Sequence, residues 1–455
     1  MISPRGMVEA LMAFVLAAML MGCTTVRDRQ ASPAGQDRFI AVENARFVKG
    51  GKQYSFVGVN LWFGAYLAAD GDIGDIDRLR RELDLLKSLG VTNLRVLGSS
   101  EKSPMSDSVT PTFRDQSENY NEALLRGLDR LLIELNKRDM HAVIYLNNFW
   151  EWSGGMGTYL SWVNGGTFVD GPGDPEHPWP AYPIFAKDFY GNKNANALFR
   201  DYVTAVVGRT NTLTGVAYRD DPAIMSWQLA NEPRPGNRHE AGETDMPAFQ
   251  VWIDDTAALI KSIDSNHMVS TGNEGFMGCG ESDLCSFEAH NGSNIDYMTI
   301  HIWPYNWGWF KFDDQEGTIG PSLEKAVDYI EKHRKQAHAL GKPMVIEEFG
   351  LPRDSGEISP DASTEFRDQF LQLVYDAVEL DVAGTGPLAG TNVWSWGGFG
   401  RAQHEDGEWR SGDTSFTGDP PQEPQGLNSI FDTDISTLRI IRSHADSLAQ
   451  ADARE

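Results

Sequence analysis

The sequence predicts an α/β fold, a (β/α)8 barrel forming one catalytic domain with long loops after strands 3 and 8. Three observations point there. Eight short apolar segments recur along the 455 residues. Stretches of helical periodicity lie between them. No Gly-x-Gly-x-x-Gly turn follows an early strand, so an open dinucleotide-binding sheet has little support.

The strand candidates are 54–60, 92–97, 141–147, 224–231, 267–272, 295–303, 343–348 and 389–396. Ile76, Leu79, Leu83 and Leu86 share one helical face, and Gly90 supplies its end. Leu124, Leu128, Leu131 and Leu135 repeat the pattern. Further helices are expected near 197–210, 247–263, 322–340 and 364–380. The connections 148–196 and 397–430 are long and leave C-terminal strand ends, where barrel sites form.

Composition narrows the function. With 39 Lys+Arg against 65 Asp+Glu, the chain carries a net charge of −26. That excludes the basic footprint of a nucleic-acid binder and disfavours adsorption to anionic membranes. An uncharged substrate fits. The 13 Trp and 13 Tyr mostly answer core packing, but some are placed to line a cleft. Ten His form neither His-x-x-x-His nor His-Glu-x-x-His, so no metal site and no cofactor are expected.

The N-terminus carries the export reading. Residues 7–22 form an apolar run after Arg5, with the length of a signal-peptide core rather than a membrane span. Leu20-Met21-Gly22-Cys23 resembles a bacterial lipobox, which implies a lipoprotein-type signal over 1–22 and lipidation of Cys23. Thr24 after that Cys implies the outer membrane, with plain secretion the alternative. Residues 23–37 are polar and read as a tether, and 38–448 as the catalytic domain. Cys279 and Cys285, six apart, are expected to form a small disulfide loop. The only membrane contact expected is the lipid anchor, and a monomer is expected.

The chemistry lies at two strand ends. Asn231-Glu232-Pro233 closes the fourth strand, and Glu347-Glu348-Phe349-Gly350 closes the seventh. Two carboxylates projecting into one barrel mouth can flank a scissile glycosidic bond, one protonated and one ionised.

In these motifs the chain resembles glycoside hydrolase family 5, a retaining (β/α)8 family, over nearly everything after residue 40. The resemblance implies that Glu232 is the acid/base and Glu348 the nucleophile. Glu347 is expected on the opposite side of its strand. Arg95 corresponds to the Arg that keeps the nucleophile ionised, Asn231 to the Asn on the sugar 2-hydroxyl, and His301 to the active-site His. Trp303 replaces a usual Tyr. Trp394 matches the platform beneath the sugar, with Trp396 a competitor for that role. Trp150 and Trp62 are further expected to contact substrate. Resemblance is closest to bacterial β-mannanases, in Leu146 through Gly155, Asn231 through Pro235, His301 through Pro304, Pro424-Gln425-Gly426 and Phe431 through Asp434. It implies a retaining β-1,4-mannan hydrolase, endo-acting, on mannan or manno-oligosaccharides. The alternatives are an exo-acting β-mannosidase, a β-1,4-glucanase and a non-catalytic carbohydrate-binding lipoprotein.

Overall fold

The computed structural model describes residues 38–105, 107–116, 119–170, 175–236 and 246–454. The proposed signal segment, tether and Cys23 lie outside them. Eight parallel strands build one sheet: Phe56–Asn60, Asn93–Leu97, His141–Tyr145, Ile224–Gln228, Met268–Ser270, Met298–Ile302, Met344–Phe349 and Leu388–Val393. Consecutive strands pair, except the fifth with the sixth, and the first also pairs with the eighth. The fifth and sixth strands are joined by bonds from Asp296 N to Val269 O (2.8 Å) and His301 N to Glu274 O (3.1 Å). The sheet thereby closes on itself, as the alternation predicts.

All eight expected strands are present; most are shorter than expected, while the seventh runs on to Phe349 and the eighth begins at Leu388. The expected helices are also present. Ile76–Ser88 starts where the Asp75 side chain accepts from Arg78 N, and Glu122–Asn136 starts where Asn121 accepts from Ala123 N and Leu124 N. The leucines named for these two helices are buried, and Gly90 sits just past the first helix at φ +83°, a conformation open to Gly. The remaining four run Lys193–Val207, Met246–Ile263, Gln315–Leu340 and Glu365–Ala383. No helix among the described residues is long and apolar enough to cross a membrane.

Three features go beyond the expected pattern. An antiparallel hairpin, Ile40–Glu43 with Arg46–Lys49, lies before the barrel. Its Ile40 and Phe47 pack with Phe56, Val143, Met225, Met268, Tyr297 and Val345, sealing the N-terminal end of the barrel. A final helix, Ile435–Asp452, packs along Glu365–Ala383 and the first strand. The connection 148–196 is itself partly helical, with Gly155–Val163 and Ala181–Ala186. The strand-eight loop is rooted in the barrel wall: Trp396 Nε1 donates to buried Glu82 Oε2 at 2.9 Å, and Trp396–Gly398 pairs with Ile430–Phe431.

Candidate active site

The C-terminal strand ends open into a cavity of about 1180 Å³ that contains Glu232, Glu348, Asn231, Trp150, Trp303 and Trp394. Both carboxylates belong to buried residues. One oxygen from each, together with a ring nitrogen of His301, lies within 4.8 Å of the others.

Arg95 organises the Glu348 side. Its guanidinium is fully buried over the Tyr145 ring, 4.6 Å from the centroid. It donates to Glu348 Oε1, to Asn60 Oδ1 (3.1 Å), to Gln228 Oε1 (2.8 Å) and to Asn231 Oδ1 (2.7 Å). A buried cation with each nitrogen engaged is stabilising only because carboxylates face it. Burial alone would lower the Arg95 pKa, but the charges of Glu348 and Glu347 outweigh that and raise it. Glu348 therefore stands against a permanent positive charge.

Glu232 sits in a different environment. Its backbone has φ +48°, uncommon for a non-glycine residue, and its N–H is bonded to Gly272 O at 3.0 Å. His301 Nδ1 is 2.7 Å from Oε1, and the Trp150 indole N–H donates to Oε2. Burial pushes the carboxyl up. The His301 hydrogen bond and charge, with help from Arg234 and Trp150, outweigh it and hold Glu232 at about 2. Burial likewise pushes His301 down, but Glu348 and its carboxylate partners raise it well above its ordinary value. Both shifts favour His301 as the holder of the proton that this pair shares. Glu232, His301 and Glu348 also form a donor set that metal ions use, and that proton opposes metal binding there.

Two expectations need correction. Glu347 was expected on the opposite side of the strand from Glu348. The pairing of the seventh with the sixth strand shifts between Ile346 and Glu348, a bulge that takes up Glu347 as an extra residue. Its carboxylate thereby stays inside the barrel, accepts from Gln228 Nε2 at 2.7 and 2.8 Å, and lies 4.0 Å from Arg95. Trp62, expected on substrate, is fully buried; its indole donates to Gly418 O at 2.8 Å and packs on Trp152 and Phe416. It fastens the strand-eight loop to the first strand and does not reach the cavity lining.

The other expected residues converge. Trp394 lines the cavity edge-on to Trp303, with ring centroids 6.1 Å apart, while Trp396 is buried in the wall. Asn231 bridges Arg95 and Asn148 Oδ1 (3.2 Å). Cys279 and Cys285 are disulfide-bonded, and Met277, Gly280 and Glu281 of that loop line the cavity.

Sequence reasoning missed further carboxyls on the cavity wall, among them Glu274, Glu151 and Glu423. Burial, then the charges of Glu232 and Glu348, push Glu274 up to about 7 despite its ion pair with Arg234. Burial pushes Glu151 up to about 7, and burial with Asp419 pushes Glu423 up to about 8. Such groups can donate as well as accept hydrogen bonds near neutral pH, which suits sugar hydroxyls, themselves donors and acceptors. Glu274 carries the signal that found Glu232, a carboxyl just past a barrel strand.

Residues 37–453 match the family described as GH family 5 beta-mannosidase-like. A solved glycoside hydrolase family 5 mannosidase from Rhizomucor miehei superimposes with a TM-score of 0.82. It is 31% identical, over 92% of this chain and 100% of that one. Mannan endo-1,4-beta-mannosidase 4 of Oryza sativa subsp. japonica is 27% identical, over 94% of this chain and 85% of its own length. An endo-1,4-beta-mannanase from Rhizomucor miehei shares the fold, with a TM-score of 0.65 at 24% identity over 90% of this chain and 99% of that one. The chain belongs to glycoside hydrolase family 5.

Proposed function

We propose that this family 5 glycoside hydrolase is a retaining β-1,4-mannan hydrolase that cleaves inside the chain, with Glu348 as nucleophile and Glu232 as acid/base. The observation that carries the reading is the pairing of Glu348 with Arg95 and of Glu232 with His301, with oxygens of the two carboxylates no more than 4.8 Å apart. That spacing suits direct attack by one carboxylate, whereas an inverting pair stands roughly 6.5–9.5 Å apart to admit water.

In the first half-reaction Glu348 attacks the anomeric carbon and forms a covalent ester. The leaving oxygen takes a proton through Glu232, supplied by the shared proton across the 2.7 Å bond to His301. In the second half-reaction Glu232 takes a proton from water, which attacks the ester and releases product with retained configuration. Asn231 is the partner for the sugar 2-hydroxyl and Trp394 the platform beneath the ring. Mannan as substrate is supported by the relatives' named activities and by the motif likeness to bacterial mannanases. Export through a lipoprotein-type signal, with Cys23 lipidated at the outer membrane or the protein secreted, belongs to the same proposal and fits a polymeric substrate outside the cell.

A second reading, exo action, is favoured by the strand-eight loop. Pro420, Gln422 and Glu423 of that loop line the cavity, and exo action requires the loop to close one end so that only a chain terminus fits. One assay separates the two. An endo enzyme lowers mannan viscosity long before much reducing sugar appears. Mannose released singly with viscosity unchanged would reject endo cleavage. No release of sugar from mannan, with hydrolysis of β-glucan instead, would reject the mannan assignment.

A further inference from the structure

Aromatic faces lead outward from the proton-donor side of the cavity. Tyr182 is buried and donates its hydroxyl to Phe149 O at 2.7 Å. Trp150 stacks on it (6.2 Å, 21°), and Trp179 stacks on Trp150 (6.2 Å, 28°). Trp150 is the residue whose indole reaches Glu232, and the Arg234 guanidinium lies 4.7 Å from its ring centroid. Trp179 ends the series. It is 52% exposed, lines the same cavity, and is anchored through Trp150. A large indole held half in water forgoes much of the stabilisation that burial would give it. Tyr305 packs on Phe312 at 4.3 Å, and both line the cavity with Asn306, Lys311 and Asp313. That wall offers polar groups to ring hydroxyls, while Trp179 offers a flat apolar face to ring C–H groups.

The polarity of the cleft follows from the chemistry. Glu348 bonds to the sugar that stays; Glu232 protonates the oxygen that leaves. Groups beyond Glu232, namely Trp150, Arg234 and Trp179, therefore lie where the leaving saccharide sits. We propose that Trp179 is the platform for a sugar ring of the leaving saccharide beyond the one released at Glu232, so that it selects substrates with leaving groups of two or more sugars and holds saccharide acceptors for transfer. The proposal rests on the retaining-hydrolase reading. In transfer, an acceptor hydroxyl oxygen bonds to the anomeric carbon, its proton passes to Glu232, and the ester bond to Glu348 breaks to regenerate the carboxylate.

The test compares wild type, Trp179→Ala and Trp179→Phe on two substrates. One is 4-nitrophenyl β-mannobioside, whose leaving group is a single ring; the other is mannopentaose. The readout is the ratio of kcat/KM for mannopentaose to that for the aryl glycoside, measured on one preparation, so any loss of folded protein cancels. The expected result is a fall in this ratio of about ten-fold in Trp179→Ala, the scale of one lost aromatic contact, and near-complete recovery in Trp179→Phe. With mannobiose added as acceptor, the share of transfer product should fall in parallel. An unchanged ratio in Trp179→Ala, with the wild type active on both substrates, overturns the proposal alone. A wild type inert on both overturns the hydrolase reading itself.

Discussion

At the N-terminal end of the barrel, the Ile40–Lys49 hairpin buries Phe47 in an apolar cluster with Phe56, Tyr297, Met225 and Val345. At the C-terminal end, the same strands carry Arg95, Asn231, Glu232, His301, Glu347 and Glu348, all buried and tied to one another. The floor gains stability from area removed from water. The mouth spends stability, because several carboxylates crowd one cation and one imidazole in a shielded place. A mutation at the floor should therefore alter folding and leave the chemistry, and a mutation at the mouth should do the reverse.

The largest effect that checks this is at the mouth. Glu348→Gln and Glu232→Gln should each lower kcat by at least about 10³-fold with the melting temperature held or raised. An aryl mannoside with a good leaving group should partly restore the first step in the Glu232 variant alone, since that leaving group needs no proton. If Glu347→Gln proves the dead variant and Glu348→Gln stays active, the nucleophile has been misassigned.

The converse experiment is at the floor. Phe47→Ala should cost about 3–5 kcal/mol of unfolding free energy by denaturant titration, while kcat/KM below the melting transition stays within two-fold of wild type, roughly the scatter of such assays. A large kinetic loss in the fully folded variant would show that the two ends are coupled.

How much of this contrast the sequence revealed depends on the range of each interaction. The strands were legible because each is a short apolar run between helices, and Glu232 and Glu348 because strand ends in a barrel have one place to go; Arg95 was legible only through the family resemblance. The hairpin at the floor was not, since its four-residue strands fall outside the repeating unit. Glu347 was misplaced because a bulge breaks the two-residue alternation on which such an assignment rests. Trp62 was misplaced because nothing local says that a Trp at a strand end meets Gly418, 356 residues away, rather than substrate. Gln228 and Asn60, which orient Arg95, read as ordinary polar residues until the barrel closes.

Smaller effects sharpen the boundary between the two regions. The Cys279–Cys285 bridge closes a loop of sequence separation 6 on the cavity rim, so Cys279→Ser with Cys285→Ser should cost about 2 kcal/mol of stability. Non-reduced mass mapping that finds two free thiols would remove the basis of that figure. The pH profile tests His301. Its pKa is raised, so the shared proton is held below that raised value and lost as pH climbs through it, which sets an alkaline limb. His301→Asn removes the hydrogen bond and charge that hold Glu232 near 2. Glu232 must then keep the proton itself, and the alkaline limb should move to lower pH. A limb that stays in place would assign it to another group.

The most direct test of the central claim, a close carboxylate pair acting by double displacement, is the configuration of the first product. Proton NMR of the anomeric signals during the first minutes of mannohexaose cleavage reads it before mutarotation intervenes. Attack by Glu348 followed by attack of water predicts that the β-anomer appears first and the α-anomer grows in later. An α-anomer formed first would mean that water attacks directly, and would contradict Glu348 as the nucleophile.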